Sequence, residues 1–383
     1  MKICAIICEY NPFHNGHLYH LQEAKSRSGA DALVCLMSGN FVQRGELALL
    51  NKYERAKHAV LGGADLVLEL PTVFATSNAE LFARGAISLL SKLPIDVLCF
   101  GAETADKAAF QLGAKYLLNE PEEAVKNLKS AVSAGASYAK ARAEAFAGFV
   151  PYDLLYSPNN ILGLEYTKAI LRENADIDIL PIARIGGGYH DETINEEYAS
   201  ATAIRAAIER GKREQTKFAL PEYVYKSLPT ERKNNLSSLE KLAVLQKGEN
   251  ALACVCDCTE GLEHAFYRVA KENGDLVNEL TSARYTSSRI RRIALQNLLG
   301  ITEELLREAL QVPLYLSPLA CNANRKDLLA LLGKSSLPLL SNANQTEKLG
   351  NTARRCLEID LYTESVYAIA TDSPLRTRKE IFV

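Results

Sequence analysis

Short apolar runs alternate with longer stretches of helical spacing through the first half of the chain. The runs predict strands at Ile3 to Cys8, Ala32 to Met37, Leu66 to Leu70, Val97 to Gly101 and Ile177 to Ile182. Between them, Gly16 to Ser28, Lys52 to Gly62 and Asn78 to Leu93 carry apolar residues at the spacing of one helix face. Strand followed by helix, repeated, is the pattern of a parallel sheet wrapped by helices. In open sheets of that kind ligands bind beyond the carboxyl ends of the strands, so each strand-to-helix junction is a candidate site.

Further along, Ala131 to Phe149 and Asn159 to Arg172 read as helices, as does Thr202 to Arg213. Leu220 to Pro229, with two prolines and mixed charge, reads as a connection, and a domain boundary is expected there, giving domains 1–218 and 219–383. Leu236 to Gly300 is mainly helical in spacing, and the last eighty residues mix helices with short strands at Val312 to Leu316 and Pro338 to Leu340. Gly186-Gly-Gly188 resembles a phosphate loop only superficially and reads as a flexible connection.

Composition narrows the class. The 383 residues are 48% apolar and 23% charged with a formal charge of -2, which excludes a disordered chain and disfavours a nucleic-acid binder built as one basic block, though not a local basic patch. The apolar N-terminal run is too short for a signal peptide or a membrane helix, so a soluble, cytoplasmic protein without membrane association is expected. Nine cysteines, an odd count in a large chain, suit reduced thiols. Cys254, Cys256 and Cys258 recur every second residue and would share one face of a strand; zinc sites usually need a tighter knuckle, so packed thiols and no metal centre are expected.

The strongest local signal follows the first strand, where Glu9-Tyr-Asn-Pro-Phe-His14-Asn-Gly-His17 leads into a helix. Pro12 ends the strand, Gly16 permits a close backbone approach, and the helix start offers unpaired N–H groups to an anion. His14 and His17, three apart, share the first helical turn and can donate to phosphate oxygens where charge builds up; a capping or core role is the alternative for either one alone. Far away in sequence, Ser200-Ala-Thr202-Ala-Ile-Arg205 opens another helix, with hydroxyls placed to cap it or contact phosphate and Arg205 placed to clamp pyrophosphate. The loop Ser38 to Arg44 and the following Lys52 are polar, aromatic and basic, which suits a small carboxylate, a splayed-out nucleotide or a solvated helix start. Glu69 and Glu103 end strands and could orient bases or hold Mg²⁺. The stretch Arg284-Tyr-Thr-Ser-Ser-Arg289-Ile-Arg291-Arg292 is basic with an aromatic inside it, which suits RNA or an ordinary wet helix face.

Taken together, the two helix starts resemble the HIGH-type nucleotidyltransferase superfamily, and the chain more closely resembles the bacterial tRNA(Met) cytidine acetate ligases. That closer likeness rests on Tyr10-Asn-Pro-Phe-His-Asn-Gly-His17, Met37-Ser-Gly-Asn-Phe-Val-Gln-Arg-Gly-Glu46, Gly63-Ala-Asp-Leu-Val-Leu-Glu-Leu-Pro71, Phe100-Gly-Ala-Glu103, Ser157-Pro-Asn-Asn-Ile-Leu-Gly-Leu-Glu-Tyr166 and Thr286-Ser-Ser-Arg-Ile-Arg291. The resemblance implies a Rossmann-like α/β nucleotidyltransferase domain followed by a mainly helical α/β domain that binds tRNA. It implies an enzyme that turns ATP and acetate into acetyl-adenylate and passes the acetyl group to N4 of the wobble cytidine of elongator tRNA(Met), forming N4-acetylcytidine, with Mg²⁺ accompanying ATP.

Carried onto this sequence, the ATP site would comprise Ile7-Cys8-Glu9-Tyr10-Asn11-Pro12-Phe13-His14-Asn15-Gly16-His17-Leu18-Tyr19-His20, then Gly101, Asn159 or else Asn160, Arg184 and Ile185. Catalytic roles would fall to His14, His17, Thr202, Arg205 and Lys52, acetate or phosphate contact to Arg44 as well as Lys52, and tRNA contact to Arg284, Arg289, Arg291 and Arg292. Two other functions fit the first 205 residues: an adenylyltransferase acting on a small phosphorylated metabolite, and an RNA-binding protein with a vestigial nucleotide site.

Overall fold

The computed structural model describes residues 1–136, 138–185, 198–340, 343–376 and 382–383; the Gly186 to Gly188 run lies outside them. Its centre is a six-stranded sheet. In chain order the strands are β1 (Ile3–Cys8), β2 (Ala32–Ser38), β3 (Leu66–Leu70), β4 (Val97–Ala102), β5 (Asp178–Ala183) and β6 (Pro318–Cys321). Their order across the sheet is β5-β4-β1-β2-β3-β6; the first five run parallel and β6 pairs antiparallel with β3. From β1 the chain builds outward through β2 and β3, then crosses to the other side of β1 for β4 and β5. The order therefore reverses between β1 and β4, which opens a crevice at their carboxyl ends.

Alternate residues of the central strand feed two cores, as the two-residue period of a strand requires. Ile3, Ala5 and Ile7 pack into one layer and Cys4 and Ile6 into the other. A third cluster, from Val244 to Ala294, belongs to the helical section alone. Helix α1 (Asn15–Ser28) follows β1, α2 (Lys52–Leu61) precedes β3, α3 (Ala201–Glu209) follows β5, and α4 (Ser287–Leu299) and α5 (Asn351–Thr371) belong to the second half.

Beyond residue 218 the chain builds the helical section and then returns to the sheet. β6 supplies its last strand, Asp360 of α5 accepts from the Thr72 amide at 2.8 Å and from Tyr315 Oη at 2.5 Å, and Gln296 of α4 donates to the Thr76 carbonyl at 2.9 Å.

Several local expectations change. The single helix expected over Ala131 to Phe149 is two, Glu122–Ser133 and Tyr138–Phe146, separated at Gly135 with φ +93°. Cys254 to Cys258 form turns after the helix Leu236–Ala253, not a strand, because Asp257 and Glu260 take positive φ; Cys254 is exposed and Cys258 buried. Val312 to Leu316 is not a strand; Leu316 makes one isolated bridge with Leu339, and the strand forms just after it, starting at Pro318 on the sheet edge where a missing N–H does no harm. The Leu220 to Pro229 connection contains a short helix, Glu222–Ser227. No helix among the described residues is long and apolar enough to cross a membrane.

Candidate active site

After β1 the backbone turns through Tyr10, at φ 47°, and reaches His14, which caps α1. The cap is reciprocal: His14 Nδ1 accepts from the Gly16 amide at 3.0 Å, and the His14 amide donates to His17 Nδ1 at 3.3 Å. The rings stack with centroids 3.7 Å apart. A Cβ on Gly16 would come within 2.9 Å of the His14 ring, so only glycine admits the cap. With both Nδ1 atoms accepting, each neutral ring carries its proton on Nε2. Burial, reinforced by Arg184 and Arg205, pushes the His14 pKa down to about 3, and burial with His14 beside it lowers His17 well below the usual range. These are neutral, directed donors rather than charges.

Charge comes from arginines. Ser200 caps α3 by accepting from the Ala203 amide at 3.0 Å, and Arg205, one turn on, donates to the Asn11 carbonyl at 2.8 Å and to Thr202 Oγ1 at 3.3 Å. The two helix starts, nearly two hundred residues apart in the chain, are thus bonded to each other. On the side of β4 and β5, Arg184 donates to Asn159 Oδ1 at 3.2 Å, and Asn159 Nδ2 donates to Glu103 at 2.7 Å. Asn160 is fully buried and accepts from the Glu103 and Thr104 amides, so Asn159 faces the cavity and Asn160 holds the turn.

The opposite wall is a hairpin, Phe41–Val42 with Glu46–Leu47, whose turn carries Arg44. It is tied to β1 by the Gln43 amide, which donates to Glu9 Oε1 at 2.8 Å; burial raises the Glu9 pKa against the pull of that bond and of Arg205 and Arg44. The cavity is about 250 Å³ and open to solvent on one side, lined by His14, His17 and His20, by Arg44, Arg184 and Arg205, and by an apolar wall of Phe82, Phe100, Leu162 and Tyr166. Three cations, neutral N–H donors and a flat apolar wall make a receptor for an anion joined to an aromatic ring.

The family model for HIGH Nucleotidyl Transferase matches residues 1–380. The chain is 39% identical over 97% of its length to a tRNA(Met) cytidine acetate ligase of Thermoanaerobacter sp., covering 96% of that protein. A tRNA(Met) cytidine acetate ligase of Alkaliphilus metalliredigens is 35% identical over 97% of the chain, with 94% of that protein covered. This chain belongs to the tRNA(Met) cytidine acetate ligase family. Among solved structures, apo Thermotoga maritima TmcAL superposes with a TM-score of 0.90 at 30% identity, covering 100% of this chain and 97% of that one. The same protein bound with alpha-thio ATP gives a TM-score of 0.88 at 29% identity, with the same coverage.

Set against this family member's cavity, most of the residues expected from sequence converge. Ile7, Cys8, Glu9, Tyr10, Asn11, His14, Gly16, His17, Tyr19 and His20 line it, as do Gly101, Asn159, Arg184, Ile185, Thr202, Arg205 and Arg44. Pro12, Phe13, Asn15 and Leu18 do not: the buried Phe13 packs under Gly62, where a Cβ would sit 2.5 Å from its ring, and the Asn15 side chain donates to the Phe218 carbonyl at 2.8 Å.

Lys52 is a correction. It is 3% exposed and away from the cavity, with Nζ 2.7 Å from Glu69 and 2.8 Å from Glu364 of α5. Burial opposes its charge, but the two carboxylates outweigh that and hold it protonated. Glu69 is therefore its ion-pair partner.

The arginine stretch is also mostly engaged within the fold. Arg284 pairs with Glu260 at 2.5 Å, Arg289 donates to the Asp257 carbonyl at 2.6 Å, and Arg292, 13% exposed, lies 3.8 Å from Asp257. Arg291 pairs with Glu46 of the hairpin at 3.1 Å, and Gly45, at φ +73°, lets the α4 backbone approach so closely that a Cβ there would lie 2.6 Å from the Arg292 amide.

Two features escaped the sequence. The apolar wall had a faint signal, since Leu162 and Tyr166 lie four apart in the helix Pro158–Arg172. Arg55 gave none: fully buried, it donates to the carbonyls of Glu9, Ser38, Gly39 and Leu50 and so locks the ends of β1 and β2 from which the site's loops leave. Among the described residues no group of three or more His, Cys, Asp or Glu could hold a metal. A Mg²⁺ bound through ATP phosphates and waters would need no such cage.

Proposed function

We propose that the protein activates acetate with ATP as acetyl-adenylate and transfers the acetyl group to N4 of the wobble cytidine of elongator tRNA(Met), in the cytoplasm and with Mg²⁺ accompanying ATP. The observation that carries this reading is the bond between Arg205 and the Asn11 carbonyl, which joins the two phosphate-gripping elements around one cationic cavity. The match to a relative whose structure holds alpha-thio ATP supports the nucleotide.

The chemistry follows from the reactants. The cytosine amine is a poor nucleophile because its lone pair is delocalised into the ring, and acetate is unreactive, so the carboxylate must first become a mixed anhydride. An acetate oxygen attacks the α-phosphorus and pyrophosphate leaves with the bonding pair. Charge accumulating on the phosphate oxygens meets Arg184, Arg205 and the Nε2–H of His14, while Arg44 on the hairpin is the cation we assign to acetate. N4 then attacks the acetyl carbonyl carbon, AMP leaves with the bonding pair of the anhydride C–O bond, and N4 gives up one proton to solvent. In this proposal residues 1–218 make the adenylate and the second half positions the tRNA, with the exposed Arg284 and the half-exposed Arg291 reaching its phosphates.

Labelled acetate incubated with total tRNA should be incorporated as N4-acetylcytidine only when ATP is present. Acetyl-coenzyme A without ATP should give no product, since His14, Arg184 and Arg205 are all assigned to phosphate chemistry; efficient transfer from it would refute the adenylate route.

A further inference from the structure

The most exposed large apolar side chain among the described residues is Phe218, at 79%. It closes the segment Arg210-Gly-Lys212-Arg213-Glu214-Gln-Thr-Lys217-Phe218, which follows α3 and holds four cations and one acid. The backbone here is pinned although the ring is bare: Thr216 and Ala219 are fully buried, Leu220 packs into the core with Ala219, and the Phe218 carbonyl accepts from the Asn15 side chain at 2.8 Å. Asn15 lies between His14 and Gly16, both on the cavity wall, so the Phe218 backbone is anchored one residue away from that wall.

The cations divide by role. Arg213 donates to the Tyr225 carbonyl at 2.7 Å and stacks on the Tyr225 ring, so it braces the segment. Lys212 and Lys217 are exposed and form no ion pair among the described residues. A bare aromatic face needs an apolar or π partner, and lysines beside it need an anion. Unpaired RNA supplies both at once, through a base and its phosphates. A chain already held in one conformation also has little order to lose on binding.

We propose that residues 212–218 form a single-stranded RNA contact at the cavity rim, in which Phe218 stacks on a base next to the nucleotide being modified and Lys212 and Lys217 bind its phosphates. This rests on the tRNA-acetylating function proposed above.

The test measures tRNA affinity over a salt series, and acetate-dependent ATP–pyrophosphate exchange without tRNA, for the full-length enzyme. Phe218→Ala should weaken tRNA binding about tenfold to a hundredfold, Phe218→Trp should retain it, and Phe218→Leu should not. The double variant Lys212→Ala/Lys217→Ala should shallow the logarithmic salt dependence by about 1.4. Exchange should be unchanged in all of them, since none touches the cavity. Wild-type affinity in Phe218→Ala would overturn the contact while leaving the enzyme's function standing. Full affinity in Phe218→Leu would mean apolar docking without base stacking and would equally overturn it. A wild-type enzyme that makes adenylate but binds no tRNA would bring down the functional reading and this contact with it.

Discussion

Replacing His14 with Asn should lower acetate-dependent ATP–pyrophosphate exchange by about 10² to 10³ while the melting temperature stays near that of the wild type. Asparagine is among the best N-cap residues, so it can accept from the Gly16 amide as His14 Nδ1 does. What it cannot supply is the ring's Nε2–H, and loss of one directed donor at a developing oxyanion typically costs that much in rate. His17→Ala should be less clean, because it also removes the partner of the His14 amide and disturbs the cap. Stopped exchange assays with a thermal melt on the same sample check both. A His14→Asn enzyme that exchanges at the wild-type rate would show that the ring only caps the helix.

The second large effect is on stability. Lys52→Met should destabilise the protein by about 3 to 5 kcal/mol in denaturant unfolding, because it leaves Glu69 and Glu364 buried beside Asp360 without their cation. The fraction that remains folded should still exchange pyrophosphate, since Lys52 does not reach the cavity. Intact stability with abolished exchange would return Lys52 to the chemistry.

These two residues mark how far the sequence could be read. His14 lies within a few residues of the strand that aims it, so its local motif carries both position and role. Strands β1 to β4 were legible for the same reason, each being a largely apolar run buried on both faces, which leaves little choice of residue; the edge strand β5, with Asp178 and Ala183 exposed, is legible only from its apolar residues. Lys52 reads as an anion-binding cation at a helix start because its partners are scattered: Glu69 is 17 residues away, but Glu364 is more than three hundred, and no local pattern announces that α5 will lie across the site's foundations. β6 escaped in the same way, since four residues beginning with proline become a strand only when an exposed edge is offered to them. For the arginines from 284 to 292 the composition was read correctly, but charge counts say nothing about which guanidinium groups face inward to Asp257 and Glu46.

The antiparallel pairing of β6 with β3 bears on how the protein can be dissected. A fragment ending near residue 218 would contain every cavity-lining side chain yet would expose the row of N–H and C=O groups on β3 that Pro318–Cys321 covers. Uncovered apolar edges of that kind template pairing with neighbouring chains. Expressed alone, the nucleotide half is a candidate for aggregation rather than a minimal enzyme, and a workable short version would have to retain the last sixty-odd residues by shortening the helical section between them.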